Sequence, residues 1–216
     1  MRQPLAAILT DSYVGVRLLD EPEPDLKEVR STLADICEVS ERAGEVIDGL
    51  RAMLKRDSSA RGLTTVDLNG VIRNVEHLTH GDANLHKVTV QLDLSSDVRP
   101  IQGDSIQLQQ VIMNLMLNAF SAMTGTEADD ARRLVVRTKS IDKLNVLVEV
   151  LDSGTGIAAE KLESIFDPFI TSKPEGLGMG LSICRSIIER HGGKISAANN
   201  PDRGAKFSIV LPVARV

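Results

Sequence analysis

Asp152 closes an alternating apolar run, Val146, Val148 and Val150, and is followed at once by Ser153-Gly154-Thr155-Gly156-Ile157. Alternation at period two marks a strand with one face in the core, so the Asp152 carboxylate is expected at a strand end, aimed into a pocket. Glycine at 154 and 156 lets the backbone turn sharply and removes the Cβ that would hold a flat ligand away. A second glycine-rich turn, Gly176-Leu177-Gly178-Met179-Gly180, opens a helical pattern of Leu181, Cys184, Ile187 and Ile188. Backbone N–H groups at a helix start point outward and favour anions, so this turn is expected to cradle phosphate. A carboxylate able to read a purine amino group beside a phosphate cradle makes a nucleotide site. No GxxxxGK[ST] run occurs, which excludes the P-loop way of building one.

Asn114 and Asn118 stand four residues apart on a helix with the apolar stripe Leu108, Val111, Ile112, Leu115, Ala119 and Met123. Gly103-Asp104-Ser105 supplies its cap. Side chains four apart share a face, and two amide oxygens there suit a hard cation that itself holds phosphate oxygens, with Mg2+ the natural choice. Two amides that satisfy buried backbone groups would leave the same spacing. Lys173, between Phe169 and Gly176, carries an ammonium that can reach phosphates or can lie in solvent. Phe166 and Phe169 flank Asp167-Pro168 and are read as packing the base of this segment.

In order, Asn114 with Asn118, then DSGTGI, IFDPF, GLGMGL and HGGKI resemble the N, G1, F and G2 boxes of the ATP-binding domain of sensor histidine kinases. The resemblance runs from about Thr64 to Val213, and the short lid ITSKPEG looks like that of PAS-linked sensor kinases, which include oxygen sensors of nitrogen-fixing bacteria. It implies a GHKL (Bergerat-type) α/β sandwich with ATP and Mg2+ as cofactors. Nucleotide contacts are implied for Asn114, Asn118, Asp152, Gly154, Gly156 and Ile157. The second glycine turn and lid add Lys173, Gly176, Leu177, Gly178, Gly180 and Leu181. Asn118 matches the Mg2+ ligand, and Asn114 lies where related ATPases place a base near the γ-phosphate. An amide cannot activate water, which suits a site that hands phosphate to a side chain. Lys206 stands directly before Phe207, where family members often carry a small hydroxyl residue, so the water-mediated adenine contact of that residue is not carried over.

Upstream, a heptad seam runs through Leu26, Val29, Leu33, Ile36, Ser40, Ala43, Ile47, Leu50 and Leu54, and a shorter one through Leu5, Leu9, Ser12, Val16 and Leu19. The prolines of EPEPD separate the two. A hairpin with such a seam cannot cover its own apolar surface, so a homodimeric four-helix bundle is expected. The second arm overhangs the start of the chain by about nine residues at ~1.5 Å per residue. MRQPLAAI resembles the tail of the family's dimerisation and phosphoacceptor box, with Arg2, Gln3, Pro4 and Leu5 in register. The acceptor His is then expected two positions before Met1. Gln3 matches a polar residue that positions water for dephosphorylating the partner, or is merely solvated. His77, His80 and His86 are read as solvated or capping. His191, in a last helical turn before Gly192, is read as a partly cationic imidazole at a helix C-terminus.

The chain of 216 residues is 42% apolar and 25% charged, with a net charge of −5, four Phe, one Tyr and no Trp. That composition suits one large or two small globular domains and gives no basic, aromatic-rich face for nucleic acid. Cys37 and Cys184 fall on separate helical stripes, as buried thiols in a reducing compartment. The expected organisation is α+β: a hairpin over 1–56, a hinge over 57–63, and over 64–216 a catalytic domain with a mixed sheet of about five strands. Its strands are expected at 64–68, 87–94, 133–140, 144–151, 193–198 and 205–211. The implied function is a cytoplasmic histidine kinase core, without membrane contact of its own, that phosphorylates a hairpin His and then a response-regulator Asp. Lacking that His, these residues should bind ATP without autophosphorylating. The rivals are a GHKL ATPase or Ser/Thr protein kinase, and a dimeric scaffold that docks a regulator without ATP.

Overall fold

The computed structural model describes residues 2–22, 24–37, 63–124, 132–171 and 178–214. Two compact units emerge, one holding the N-terminal helices together with 169–180, the other holding the remainder from residue 58. In the first unit, α1 (Arg2–Leu19) turns at 20–22 into α2, helical over 26–37. Asp25 opens α2 by accepting the N–H groups of Lys27 and Glu28 at 2.9 and 3.2 Å. The arms meet where Gly15 is buried against Thr32, whose Cγ2 would lie 3.7 Å from a Cβ at Gly15. Val29 is buried as well. Five other seam residues face outward: Leu9, Val16, Leu19, Leu26 and Leu33 are all exposed. The seam from Ser40 to Leu54 lies outside the described residues, as does the hinge apart from Leu63.

The second unit is an α/β sandwich. Its main sheet has the order β2 (Thr89–Leu94), β4 (Arg133–Ser140), β5 (Asn145–Asp152), β7 (Ala205–Pro212), β6 (Lys194–Asn199). β2 runs parallel to β4 and every other pair is antiparallel. A two-stranded sheet pairs β1 (Thr64–Val66) with β3 (Ile101–Gly103). Asp67 caps α3 (Leu68–Leu78), which therefore begins where the first strand was expected to end. The short α4 (His80–Leu85) and β3 were not foreseen, since six and three residues hold too little periodicity to read.

Alternation along β4, β5 and β7 puts Leu134, Val136, Val148, Val150, Phe207 and Ile209 on one buried face. Against it lies α5 (Ser105–Met123), beside α3, with Leu108, Val111, Leu115, Met116 and Phe120 fully or nearly fully buried. Each such side chain stabilises the fold by about 1.5–3 kcal/mol through the water it sheds. The opposite face of the sheet is polar. Arg137 reaches Asp93 at 2.7 Å and Glu149 at 4.0 Å, and Lys206 reaches Glu149 at 3.6 Å.

Candidate functional site

Asp152 is the last residue of β5 and only 4% exposed. Its Oδ1 accepts the N–H of Gly154 at 2.8 Å and that of Ala205 at 3.2 Å. Both bonds fall on one oxygen, and among the described residues nothing pairs with Oδ2. Burial pushes the carboxyl above its ordinary value, and the two backbone donors offset only part of that. The site thus holds a desolvated acceptor whose second oxygen is unpaired among the described residues.

The loop after Asp152 is cast against α5 and against the β6–β7 turn. Thr155 donates its N–H to the Ala122 carbonyl, one helical turn beyond Asn118, at 3.3 Å. A Cβ at Gly154 would stand 2.8 Å from that same carbonyl, so this glycine is required by helix packing as well as by any ligand. Gly156 has φ of +75°, in the left-handed region that side chains disfavour. Asn199 brackets Ile157: its Oδ1 accepts the Ile157 N–H and its Nδ2 donates to the Ile157 carbonyl, each at 2.7 Å. Asn200 donates to the Asp152 carbonyl at 2.8 Å, and Arg203 donates through Nε to the Gly154 carbonyl at 3.3 Å. Gly204, with φ of +88°, comes so close that a Cβ would fall inside the Asp152 carbonyl.

These turn residues were missed in sequence, where Asn199 to Gly204 reads only as a hairpin turn. The single hint was the crowding of two Asn, a Pro and a Gly. Lys206, for which no adenine contact was carried over, pairs with Glu149. It lies on the outer face with Glu149, and the β7 residue that meets Asp152 is Ala205, through its backbone.

Asn114 and Asn118 are both half-buried, one turn apart on α5. Asp104 caps this helix, accepting from Ile106 and Gln107 at 3.0 and 3.3 Å. Asn114 donates through Nδ2 to Sγ of Cys184 at 3.8 Å, which leaves its oxygen for another partner. Cys184, on α6 (Gly180–Arg190), is fully buried, as expected, and burial pushes its thiol up to about 12. Cys37, expected to be buried, is exposed on the single chain. His191 differs from the partly cationic reading. Its Nδ1 donates to the Ile187 carbonyl at 2.8 Å and its Nε2 accepts the Asp104 N–H at 3.0 Å. A ring that accepts at one nitrogen and donates at the other carries a single proton.

Gly178 has φ of +65°, and its carbonyl accepts the N–H of Phe169 at 3.0 Å. Phe169 itself has φ of +69°, a strained conformation for an aromatic residue, and is exposed rather than packed. Phe166 is buried edge-on to Phe207 with ring centres 6.3 Å apart, as the packing role requires. Gly180 and Leu181 begin α6. Lys173, Gly176 and Leu177 lie outside the described residues, and so does the side chain of Gln3 in α1. No cluster of three or more His, Cys, Asp or Glu suited to a metal occurs among the described residues, and no helix among them is long and apolar enough to cross a membrane.

Residues 103–215 match a family described as histidine kinase-, DNA gyrase B-, and HSP90-like ATPase. The sensor protein FixL of Bradyrhizobium diazoefficiens is 36% identical over 216 residues, covering 99% of this chain and 42% of FixL. The chain spans between 22% and 42% of the curated relatives that it matches over 99% of its own length. Among solved structures, full-length ShkA in complex with AMPPNP superposes with a TM-score of 0.74 at 25% identity, over 100% of this chain and 44% of ShkA. Histidine kinase ThkA in complex with the response regulator TrrA gives 0.68 at 26% identity, over 99% and 58%.

Proposed function

The chain belongs to the histidine kinase-, DNA gyrase B-, and HSP90-like ATPase family, and from that premise we propose that it is the catalytic core of a sensor histidine kinase. The reading comprises a dimerising hairpin over 1–56, a hinge over 57–63 and an ATP-binding catalytic domain over 64–216. The observation that carries it is Asp152, whose buried Oδ2 has no partner among the described residues. An adenine amino group fits there, because its N–H supplies the hydrogen bond that burial otherwise denies the carboxylate. When bound, Mg2+·ATP supplies a transferable γ-phosphoryl group. Asn118 would hold the metal through its amide oxygen. Asn114, tethered to Cys184 by its nitrogen, would turn its oxygen to the phosphates without acting as a base. Gly154, Gly156 and Ile157 would border the adenine, and Lys173, Gly176, Leu177, Gly178, Gly180 and Leu181 the phosphates.

The phosphoryl acceptor in this reading is a His of the dimerisation and phosphoacceptor box, whose tail Arg2, Gln3, Pro4 and Leu5 resemble. The phosphoryl group then passes to the Asp of a response-regulator receiver domain, and Gln3 would position water for its removal. The resemblance to ThkA in complex with TrrA supports that partner. Exposed Leu9, Val16, Leu19, Leu26 and Leu33 support a homodimer. The core works in the cytoplasm, without membrane contact of its own.

A thermal-shift titration with ATP and Mg2+, followed by γ-labelled ATP, tests the reading. Binding should raise the melting temperature, and acid-labile label should appear on a His. Release of free phosphate would point instead to an ATPase, transfer of label to Ser or Thr to a protein kinase, and no shift at all to an ATP-independent scaffold.

A further inference from the structure

We infer that Asn199 is a positioning residue for the nucleotide loop, holding residues 154–157 in their binding shape before any ligand arrives. This rests on the reading that the loop borders the nucleotide. Asn199 ends β6, and both of its amide groups are spent on one residue 42 positions away, accepting the N–H of Ile157 and donating to its carbonyl at 2.7 Å each. That pairing copies a rung of a β ladder, with a side-chain amide standing in for a peptide.

An Asn at a turn ordinarily bonds its own turn, but here the neighbour does that work. Asn200 donates to the carbonyls of Arg203 and Ala205 at 3.2 Å each, besides the Asp152 carbonyl. Asn199 is left to serve the loop alone. Its Oδ1 would stand 3.0 Å from a Cβ at Gly156, so the amide occupies the space next to the left-handed residue.

The loop has other anchors, but they lie nearer its start. Asp152 holds the N–H of Gly154, Ala122 that of Thr155, and Arg203 the Gly154 carbonyl. Among the described residues, Asn199 alone fixes the exit at Ile157. Without it the last two residues of the loop gain conformations that must be surrendered on binding, and that ordering cost falls on affinity rather than on the core. Asn199 acts through Ile157 and need not touch the ligand.

The test compares the wild-type chain with Asn199→Ala and Asn199→Asp by three readouts: hydrogen exchange at the Ile157 amide without nucleotide, the Kd for Mg2+·ATP, and the urea unfolding midpoint. Asn199→Ala should speed exchange at Ile157 and raise Kd, each by about tenfold, the worth of one to two neutral hydrogen bonds, with the midpoint nearly unchanged. Asn199→Asp keeps the acceptor and loses the donor, so its Kd should fall between the two. Unaltered exchange and Kd in Asn199→Ala overturn the inference, and so does a Kd loss matched by an equal loss of stability. Should the wild-type chain bind no Mg2+·ATP, the nucleotide reading fails, and unaltered exchange at Ile157 would then dispose of the positioning role separately.

Discussion

The backbone N–H of Asp104 donates to Nε2 of His191 at 3.0 Å, across 87 positions of sequence. The same ring donates from Nδ1 to Ile187 in the turn before it. One buried imidazole therefore joins the C-terminal end of α6 to the residue that caps α5, the helix of Asn114 and Asn118. His191→Ala removes both bonds and leaves a cavity, and should cost about 2–4 kcal/mol in urea unfolding. Gly103→Ala should also destabilise, since its new Cβ would stand 2.8 Å from Cδ2 of that ring. A His191→Ala protein as stable as wild type would show that the link carries no weight.

Asp152 sets stability against binding. Its folded carboxyl titrates above its ordinary value of 3.8 because of burial. The contribution to stability is therefore complete below 3.8 and is lost as pH rises through the folded value. Asp152→Asn removes that loss, so its unfolding midpoint should exceed wild type at neutral pH and converge with it in acid. Meanwhile the amide offers a donor to the adenine amino group, and Mg2+·ATP affinity should fall on the order of a hundredfold. Equal pH slopes for the two proteins in urea titrations would contradict the assignment.

The two thiols should differ sharply in reactivity. Cys184 is fully buried, with its thiol pushed to about 12, whereas Cys37 is exposed. At about pH 8 a thiol reagent should modify one equivalent in the native protein and two after denaturation, since only an accessible thiolate reacts. Rapid native modification of two equivalents would mean that α6 opens readily.

The outward seam makes a separable prediction about assembly. Leu33→Glu and Val16→Lys put charges where the single chain leaves the side chains exposed, so far-ultraviolet circular dichroism and the melting of the sandwich should change little. The proposed dimer would lose an apolar contact from each copy, and its dissociation constant should rise on the order of a hundredfold. Sedimentation velocity would decide; unchanged association would mean that another surface pairs the chains.

What sequence made legible was local. Val146, Val148 and Val150 announced β5 and the position of Asp152, and Asp104 announced the start of α5, because period and cap chemistry act within a few residues. The hidden part of the site is long-range and made of side chains on backbone. Asn199 to Ile157 and Arg203 to Gly154 span 42 and 49 positions, and no pattern within either segment encodes the other. Which face Lys206 takes was not legible for the same reason: whether a strand residue faces the pocket or the outer surface depends on a register that only β5 supplies. His191 looked cationic because a helix end favours charge, until the Asp104 amide claimed its second nitrogen.

The pairing of β2 with β4 has a consequence for how the protein comes into being. It is the one parallel pair in the main sheet, so β3 and α5 must both be threaded between its strands. The β4–β5 hairpin closes through a tight turn in which Asp142 receives the N–H groups of Leu144 and Asn145, and such hairpins form in roughly 1–10 μs. The crossover must close a loop of some forty residues before its contacts give any return, which is intrinsically slower. The end of β5 that bears Asp152 can therefore take shape early in refolding, whereas the helix bearing Asn114 and Asn118 is seated only when β2 finds β4. Recovery of nucleotide affinity should lag behind recovery of strand signal by that interval.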